Sequence, residues 1–482
     1  MESHPRPSQV LVEQDAVCKS ERANNSDPSK FFQSPAFIVI VALVLRLAVI
    51  VLGHTYRITP RRDHFQFGWE MGRIARSIAL GQGFSSPTDF STGPTAWAPP
   101  LYPYLLAGIF KVLGVYSSGS AAVILAINSI FSALTCLTLY HIALRFFNFQ
   151  TRTSRAPSLP ASATAPARWA AWTWALLPYA IYWPVRVVWE TSLSTLLLSL
   201  ALLLTLRIGQ EQITHARAWI ELGLIWGVIA LSNPTLLSFL PLSMASLWYE
   251  IRSSPRAWES ESPLRASPAG GKRANRLWRN LALLLVVFAA VIAPWLIRNY
   301  RTFHQFVFIR DNFGMELHLA NNEHSQGLWT RSEHPGNDPQ QMATFRDMGE
   351  LPYMRAEQHA AIAFIRQHPL EFTRNSLKRA VYFWVGNPQE TLLGTWNLAP
   401  ARHLAFFLSA LAAFVGLGFC LRNRIPGAFL FACLLIIYPI PYYIAHPSPR
   451  YRHPIEPEMV LLIVYLLSRL RHRPIRLSGL TQ

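Results

Sequence analysis

The sequence predicts an all-α polytopic membrane protein, and three observations carry that expectation. Of its 482 residues, 51% are hydrophobic and 15% are charged, which is less charge than a soluble chain of this length carries. The apolar residues are gathered into runs of spanning length. The basic residues flank those runs, as the positive-inside bias expects, instead of forming one basic domain. The net charge of +18 therefore points to membrane lipids and not to nucleic acid.

About ten spans can be read along the chain, near 36–53, 120–147, 169–185, 188–206, 218–233, 235–249, 280–297, 403–421, 426–445 and 456–470. Residues 1–35 form a polar cytoplasmic tail with no signal-peptide pattern, so the first run is read as an uncleaved span. Residues 36–297 hold seven spans, and 403–482 hold the last three with a basic cytoplasmic tail. With both termini inside, five basic stretches fall inside. They are the N-terminal tail, the loop with Arg152, Arg155 and Arg168, the loop Arg252 to Arg279, the turn with Arg422 and Arg424, and the tail with Arg469 to Arg476. The Ser-, Pro- and Gly-rich stretch 251–279 reads as a linker.

Two large segments then fall outside, 54–119 and 298–402. In the first, Phe67, Met71, Ile74 and Ile78 recur at helical spacing while Glu70, Arg73 and Ser77 share another face. This predicts an amphipathic helix on the membrane surface, stopped by Gly81 and Gly83. The string PTAWAPPLYPYLLAGIFKVLG predicts a second surface or re-entrant helix. In the second segment, Met354 to Val385 reads as helical, so this outer loop is expected to be structured. Cys18, Cys136, Cys420 and Cys433 suggest neither a disulfide framework nor a zinc site.

The chain has no GxxxxGK[ST], HExxH, CxxC, GxGxxG or GxSxG, so nucleotide-driven transport and zinc peptidase chemistry lack support. The chemistry-bearing candidates sit at membrane edges. Glu70 is a carboxylate at a low-dielectric boundary, suited to act as a base, or else a surface Glu paired with Arg73. Asp63 is a second candidate, beside Arg61 and Arg62. Glu190 stands at the outer start of the fourth span, where an acid is either functional or favoured by the helix dipole. Arg46, inside the first span, must pair with an acid or phosphate, or snorkel. In HPSPRYRHPIEPE, Arg450, Arg452 and His453 cluster where a lipid phosphate would lie, or touch headgroups. His446, His453 and Glu456 match no strong metal-ligand motif.

Taken in order, the spanning helix with its internal Arg, IARSIALGQGFSSP, PPLYPYLLAGIFKVLG, VVWETSLSTLLLSL, SNPTLLSFLP, APWLIRNYRTF and YRHPIEP resemble the GT-C superfamily of membrane glycosyltransferases. The branch they are most similar to is the one related to protein mannosyltransferases and aminoarabinose transferases (family 39-like). The resemblance covers nearly the whole chain. It implies a hexosyl- or pentosyltransferase of the bacterial plasma (inner) membrane, active on the periplasmic or extracellular side. It would take a sugar from a polyprenyl-phosphate donor and pass it, with inversion, to a hydroxyl of a protein, lipid or glycan acceptor. An acid of the first outer loop would be the base, Arg450 and Arg452 would hold the phosphate, and Glu190 would orient a basic group or a metal. A divalent cation is compatible with this scheme. The sequence departs from the family in one place. Where an Asp or acidic pair usually precedes an aromatic, FQFGWEMGRIA has a single Glu, so the base role falls to Glu70 or Asp63. Two other functions share these features, a flippase for lipid-linked glycans and a ligase that uses polyprenyl-diphosphate glycans. The flippase would need paired halves and charges along a mid-membrane path, and neither is legible.

Overall fold

A computed structural model describes residues 32, 34–58, 67–153, 164–253, 269–388 and 399–471. Asp63, Arg155, the centre of the expected linker and the basic tail after Arg471 lie outside these residues. Among the described residues the structure is helical, with one isolated bridge between Ser85 and Pro94.

The first span is α1 (Pro35–Leu52), and the first outer segment folds as α2 (Trp69–Ala79) and α3 (Leu101–Leu113). The membrane part continues through α4 (Ser118–Thr153), α5 (Thr164–Leu176), α6 (Pro178–Arg186), α7 (Thr191–Glu211), α8 (Ala216–Ser232), α9 (Leu240–Ser253) and α10 (Ala269–Phe303). The second outer segment holds α11 (Phe313–His318), α12 (Pro339–Met348), α13 (Glu350–Gln367) and α14 (Pro369–Val385). The chain then closes with α15 (Ala399–Arg422), α16 (Ala428–Ile437), α17 (Ile440–Ile444), α18 (Pro449–Arg452) and α19 (Glu456–Arg471).

Among the described residues, five helices are long and apolar enough to cross a membrane: Pro35–Leu52, Ser118–Phe147, Thr191–Glu211, Asn275–Phe303 and Pro400–Arg422. The other expected spans are shorter or interrupted, and proline accounts for most of the interruptions because it lacks the N–H the helix needs. Pro178 divides α5 from α6, Pro234 opens a short 3₁₀ turn between α8 and α9, and Pro439 divides α16 from α17. The helix expected over 354–385 is likewise two helices, parted at His368 and Pro369.

The core is a chain of helix pairs: α1 on α4 and α5, α4 on α7, α7 on α8, α8 on α10, and α15 on α19. The α8–α10 pair approaches closely because Gly223 and Gly227 present no side chain. A Cβ on Gly227 would lie 2.6 Å from Val291 Cβ, and one on Gly223 would lie 2.7 Å from the Leu284 carbonyl. Small residues four apart allow such close helix contacts in apolar surroundings.

Each end of the bundle has its own polar cluster. At one end Arg145 of α4 pairs with Glu211 of α7 at 2.6 Å. At the same end the Gly427 N–H donates to Glu250 Oε1 at 2.9 Å. At the other end the two segments expected to lie outside close over the helices. Buried Arg379 of α14 locks that cover in place. It donates to the carbonyls of Gly327 (2.7 Å), Ile444 (2.8 Å) and Ala320, and to Asn321 Oδ1 (3.1 Å).

Candidate active site

Glu70 owes its position to the turn before it. Gly68 (φ 86°) and Trp69 (φ 43°) are both left-handed, a conformation that costs free energy in any residue with a Cβ. A Cβ on Gly68 would lie 2.8 Å from the Val188 carbonyl. The start of α2 thus presses against the extended link Val187–Trp189 that leads to Glu190, and the first outer helix and the fourth span bring their acids to one place. Glu190 caps α7 and is 8% exposed, and its Oε2 has no hydrogen-bond partner among the described residues.

The polar face of α2 is not solvated as the pattern suggests. Arg73 is 2% exposed and Ser77 is fully buried. Arg73 Nε donates to Asp89 Oδ1 at 2.9 Å, and its guanidinium lies 5.2 Å from the Trp69 ring. It is therefore spent on Asp89, and the i,i+3 pair with Glu70 does not form. The Trp69 ring meets His334 edge-on at 6.1 Å, and Trp97 and Trp329 flank the same imidazole. Burial drives the His334 pKa down to about 4. Its Nδ1 accepts from the Gly336 N–H at 3.0 Å, so the ring is neutral.

Arg450 of α18 faces both acids. Its guanidinium lies 4.2 Å from the Trp189 ring and 4.9 Å from the Tyr451 ring, and Nη2 donates to Tyr451 Oη at 2.9 Å. Arg310, in the stretch between α10 and α11, donates from Nη2 to Thr235 Oγ1 at 3.1 Å. Its charge reaches Glu190 and Glu316. Glu316 of α11 pairs with His446 Nε2 at 2.9 Å, and that contact holds its carboxylate down to about 2, against the opposing effect of burial. Burial pushes Glu70 the other way, upward, and the nearby Arg450 offsets part of that rise. Among the described residues neither Arg450 nor Arg310 has an ion-pair partner. Arg450 is instead held by the Trp189 and Tyr451 rings and the Tyr451 hydroxyl, and Arg310 by the Thr235 hydroxyl.

The remaining sequence candidates lie in a second buried network. Arg46 does not snorkel. Pro178 and Pro184 lack the N–H groups that would have bonded the carbonyls of Trp174 and Ala180. Arg46 Nη2 points at those two oxygens (3.4 and 3.5 Å), Nη1 donates to Ala175 O (3.1 Å), and Nε donates to Ser132 Oγ (3.1 Å). Arg452 pairs with Glu456 at 3.2 Å and donates to the Trp384 and Phe406 carbonyls and to Ser409 Oγ. His453 is enclosed by the rings of Trp174, Tyr179 and Trp183. The structure therefore brings Glu70, Glu190 and Arg450 together and sets Arg46, Arg452 and His453 apart from them. Asp63 lies outside the described residues.

Arg310 and Glu316 join the site without having stood out in the sequence. The available signal was FIRDNFGMEL, a run of charges inside an apolar string directly after the outer end of the seventh span. His446, His453 and Glu456 do not converge either, since His446 goes to Glu316 while His453 lies 3.6 Å from Glu456. Among the described residues no three His, Cys, Asp or Glu side chains are grouped to hold a metal ion.

No protein-family model matches the chain, and no curated protein matches it. Solved structures do. The crystal structure of the Archaeoglobus fulgidus oligosaccharyltransferase, in complex with Zn and sulfate, aligns with a TM-score of 0.50 at 14% identity, over 90% of this chain and 49% of that one. The archaeal oligosaccharyltransferase AglB from Archaeoglobus fulgidus, with an inhibitory peptide and a dolichol-phosphate, gives 0.48 at 15% identity, over 92% and 50%. ArnT from Cupriavidus metallidurans, bound to undecaprenyl phosphate, gives 0.37 at 13% identity, over 88% and 77%. All are GT-C superfamily glycosyltransferases. The likeness to the first of these is one of fold, and the chain spans about half the length of that archaeal enzyme.

Proposed function

We propose that this chain is a membrane glycosyltransferase that moves a sugar from a polyprenyl-phosphate donor to an acceptor hydroxyl. The observation that carries this reading is the pair of guanidiniums, Arg450 and Arg310, which stand beside Glu190 with no ion-pair partner among the described residues, Arg450 also beside Glu70. Fixed cations suit an anion that arrives with the substrate and gains charge as its bond breaks. Sulfate, a tetrahedral dianion, accompanies the archaeal enzyme of the same fold.

In the proposed step, Glu70 takes the proton of the acceptor hydroxyl. The acceptor oxygen attacks the anomeric carbon, the bond from that carbon to the phosphate oxygen breaks, and the polyprenyl phosphate leaves with the electron pair. Arg450 and Arg310 stabilise the departing oxygens. A single displacement inverts the anomeric centre. Glu190, beside Arg450, fixes that guanidinium. The archaeal structure holds zinc; among the described residues here no three His, Cys, Asp or Glu side chains are grouped to hold a metal ion.

The test is transfer by the purified full chain, in detergent, from polyprenyl-phosphate sugars to acceptors extracted from the host membrane. A product with inverted anomeric configuration supports the reading. Turnover of polyprenyl-diphosphate glycans alone favours the ligase, and movement of donor across vesicles without transfer favours the flippase.

The proposed orientation puts the site on the outer face of the bacterial inner membrane, with both termini inside. Exposed Gln340 and Asn423 lie on opposite sides in that arrangement. A Gln340→Cys variant should label with an impermeant maleimide in intact cells, and Asn423→Cys only after permeabilisation. The reverse pattern rejects the orientation.

A further inference from the structure

Behind the site, two acids grip one residue of the first outer segment from both sides. Glu350 is the first residue of α13. Its Oε1 accepts from the Ala96 N–H at 2.5 Å and its Oε2 from Thr95 Oγ1 at 2.5 Å. The Thr95 hydroxyl in turn accepts from the Trp97 N–H at 3.0 Å. The Asp311 N–H donates to the Ala96 carbonyl at 3.1 Å. The Asp311 carboxyl faces Glu350, and both its oxygens are buried with no donor within hydrogen-bond distance among the described residues.

Two cations approach this pair, and both are engaged elsewhere. Arg298 of α10, which Glu350 influences, donates to the carbonyls of Thr95 (2.7 Å) and Phe84 (2.9 Å) and lies 4.8 Å from the Trp295 ring. Arg310, next to Asp311 in the chain and acting on it, is bonded to Thr235. Two ionised carboxyls cannot face each other at such a place without strong repulsion, so one must carry a proton. Burial holds both carboxyls above the usual carboxylate range, and at Glu350 the charge of Asp311 adds to the rise.

We propose that Asp311 and Glu350 share one proton, and that the protonated pair is a positioning element which fixes Ala96 and holds the adjoining Arg310 at the site. The positioning half rests on the phosphate role proposed for Arg310. The shared proton does not. Because the folded state binds this proton more tightly than the unfolded chain, the pair's contribution is full at acid pH. It is lost as pH rises through the raised value. Loss of the proton sets Asp311 against Glu350, loosens the grip on Ala96 and frees Arg310 to move.

The experiment uses the full chain in a non-ionic detergent over a pH range of about 5 to 9, which brackets raised carboxyl values. Thermal unfolding is followed by tryptophan fluorescence, and affinity is measured for farnesyl phosphate. For the unmodified chain the unfolding midpoint should fall with rising pH, and farnesyl phosphate affinity should fall with it by roughly tenfold, the effect of one misplaced charged contact. Glu350→Gln keeps an acceptor for Ala96 and offers Asp311 a permanent donor, so both trends should flatten. If that variant does not fold, Asp311→Asn makes the same test from the other side. A midpoint independent of pH overturns the shared proton. A sloping midpoint with constant affinity overturns the positioning role. If farnesyl phosphate binds at no pH, the phosphate reading fails, and the unfolding curve still decides the shared proton.

Discussion

Glu70→Gln should lower transfer by about a hundred- to ten-thousandfold, the usual cost of removing a general base. The amide matches the carboxylate in size and cannot take a proton. Glu70 makes no ion pair among the described residues, so the change leaves the packing of Met71, Ile74 and Ala75 intact and expression should hold. The pH profile adds a second signature. Burial raises the Glu70 carboxyl, and the ionised Glu316 nearby raises it further, against the pull of Arg450. The base is therefore lost at a higher pH than a free glutamate would be, and transfer should decline as pH falls through that raised value. Asp63→Asn should do much less. If Asp63→Asn is inactive and Glu70→Gln active, the base is Asp63. Retention of full activity by both would remove general-base catalysis from the first outer segment.

Arg450→Ala should weaken donor use by about ten- to hundredfold, since a charged hydrogen-bonded contact contributes about 1.5–3 kcal/mol. The signature is a raised KM for donor together with a lowered kcat, because the leaving phosphate gains charge in the transition state. Arg452→Ala is the contrast. Arg452 holds Glu456 and two carbonyls, so its loss leaves a buried carboxylate unpaired and should act through stability. Arg46→Met should behave in the same way by exposing the carbonyls that Pro178 and Pro184 leave free. Equal donor KM effects from Arg450→Ala and Arg452→Ala, at unchanged thermal stability, would contradict this division.

Helix class and the acids at membrane edges are legible because apolar run length and charge position are one-dimensional properties. The neighbourhood of Arg450 is not. Residues 450 and 452 are two apart on α18, and residues two apart on a helix point to opposite sides. One therefore faces Glu70 and the other faces Glu456. Sequence adjacency made them look like one phosphate site. Arg310 and Glu316 were hidden for another reason, since the long segment 298–402 carries no periodicity that says which charges turn back toward the bundle. The broken spans follow from prolines that are visible in the sequence, but the role of Arg46 as partner to the carbonyls those prolines free emerges only from their meeting in space.

The most direct test of the account is electron cryomicroscopy of the full chain with a short-chain polyprenyl phosphate. Phosphate density should lie between Arg450 and Arg310, with Glu70 and Glu190 facing it and the prenyl chain leaving toward the membrane. Phosphate seated at Arg452 and His453, or bound without contact to either Arg450 or Arg310, would contradict it.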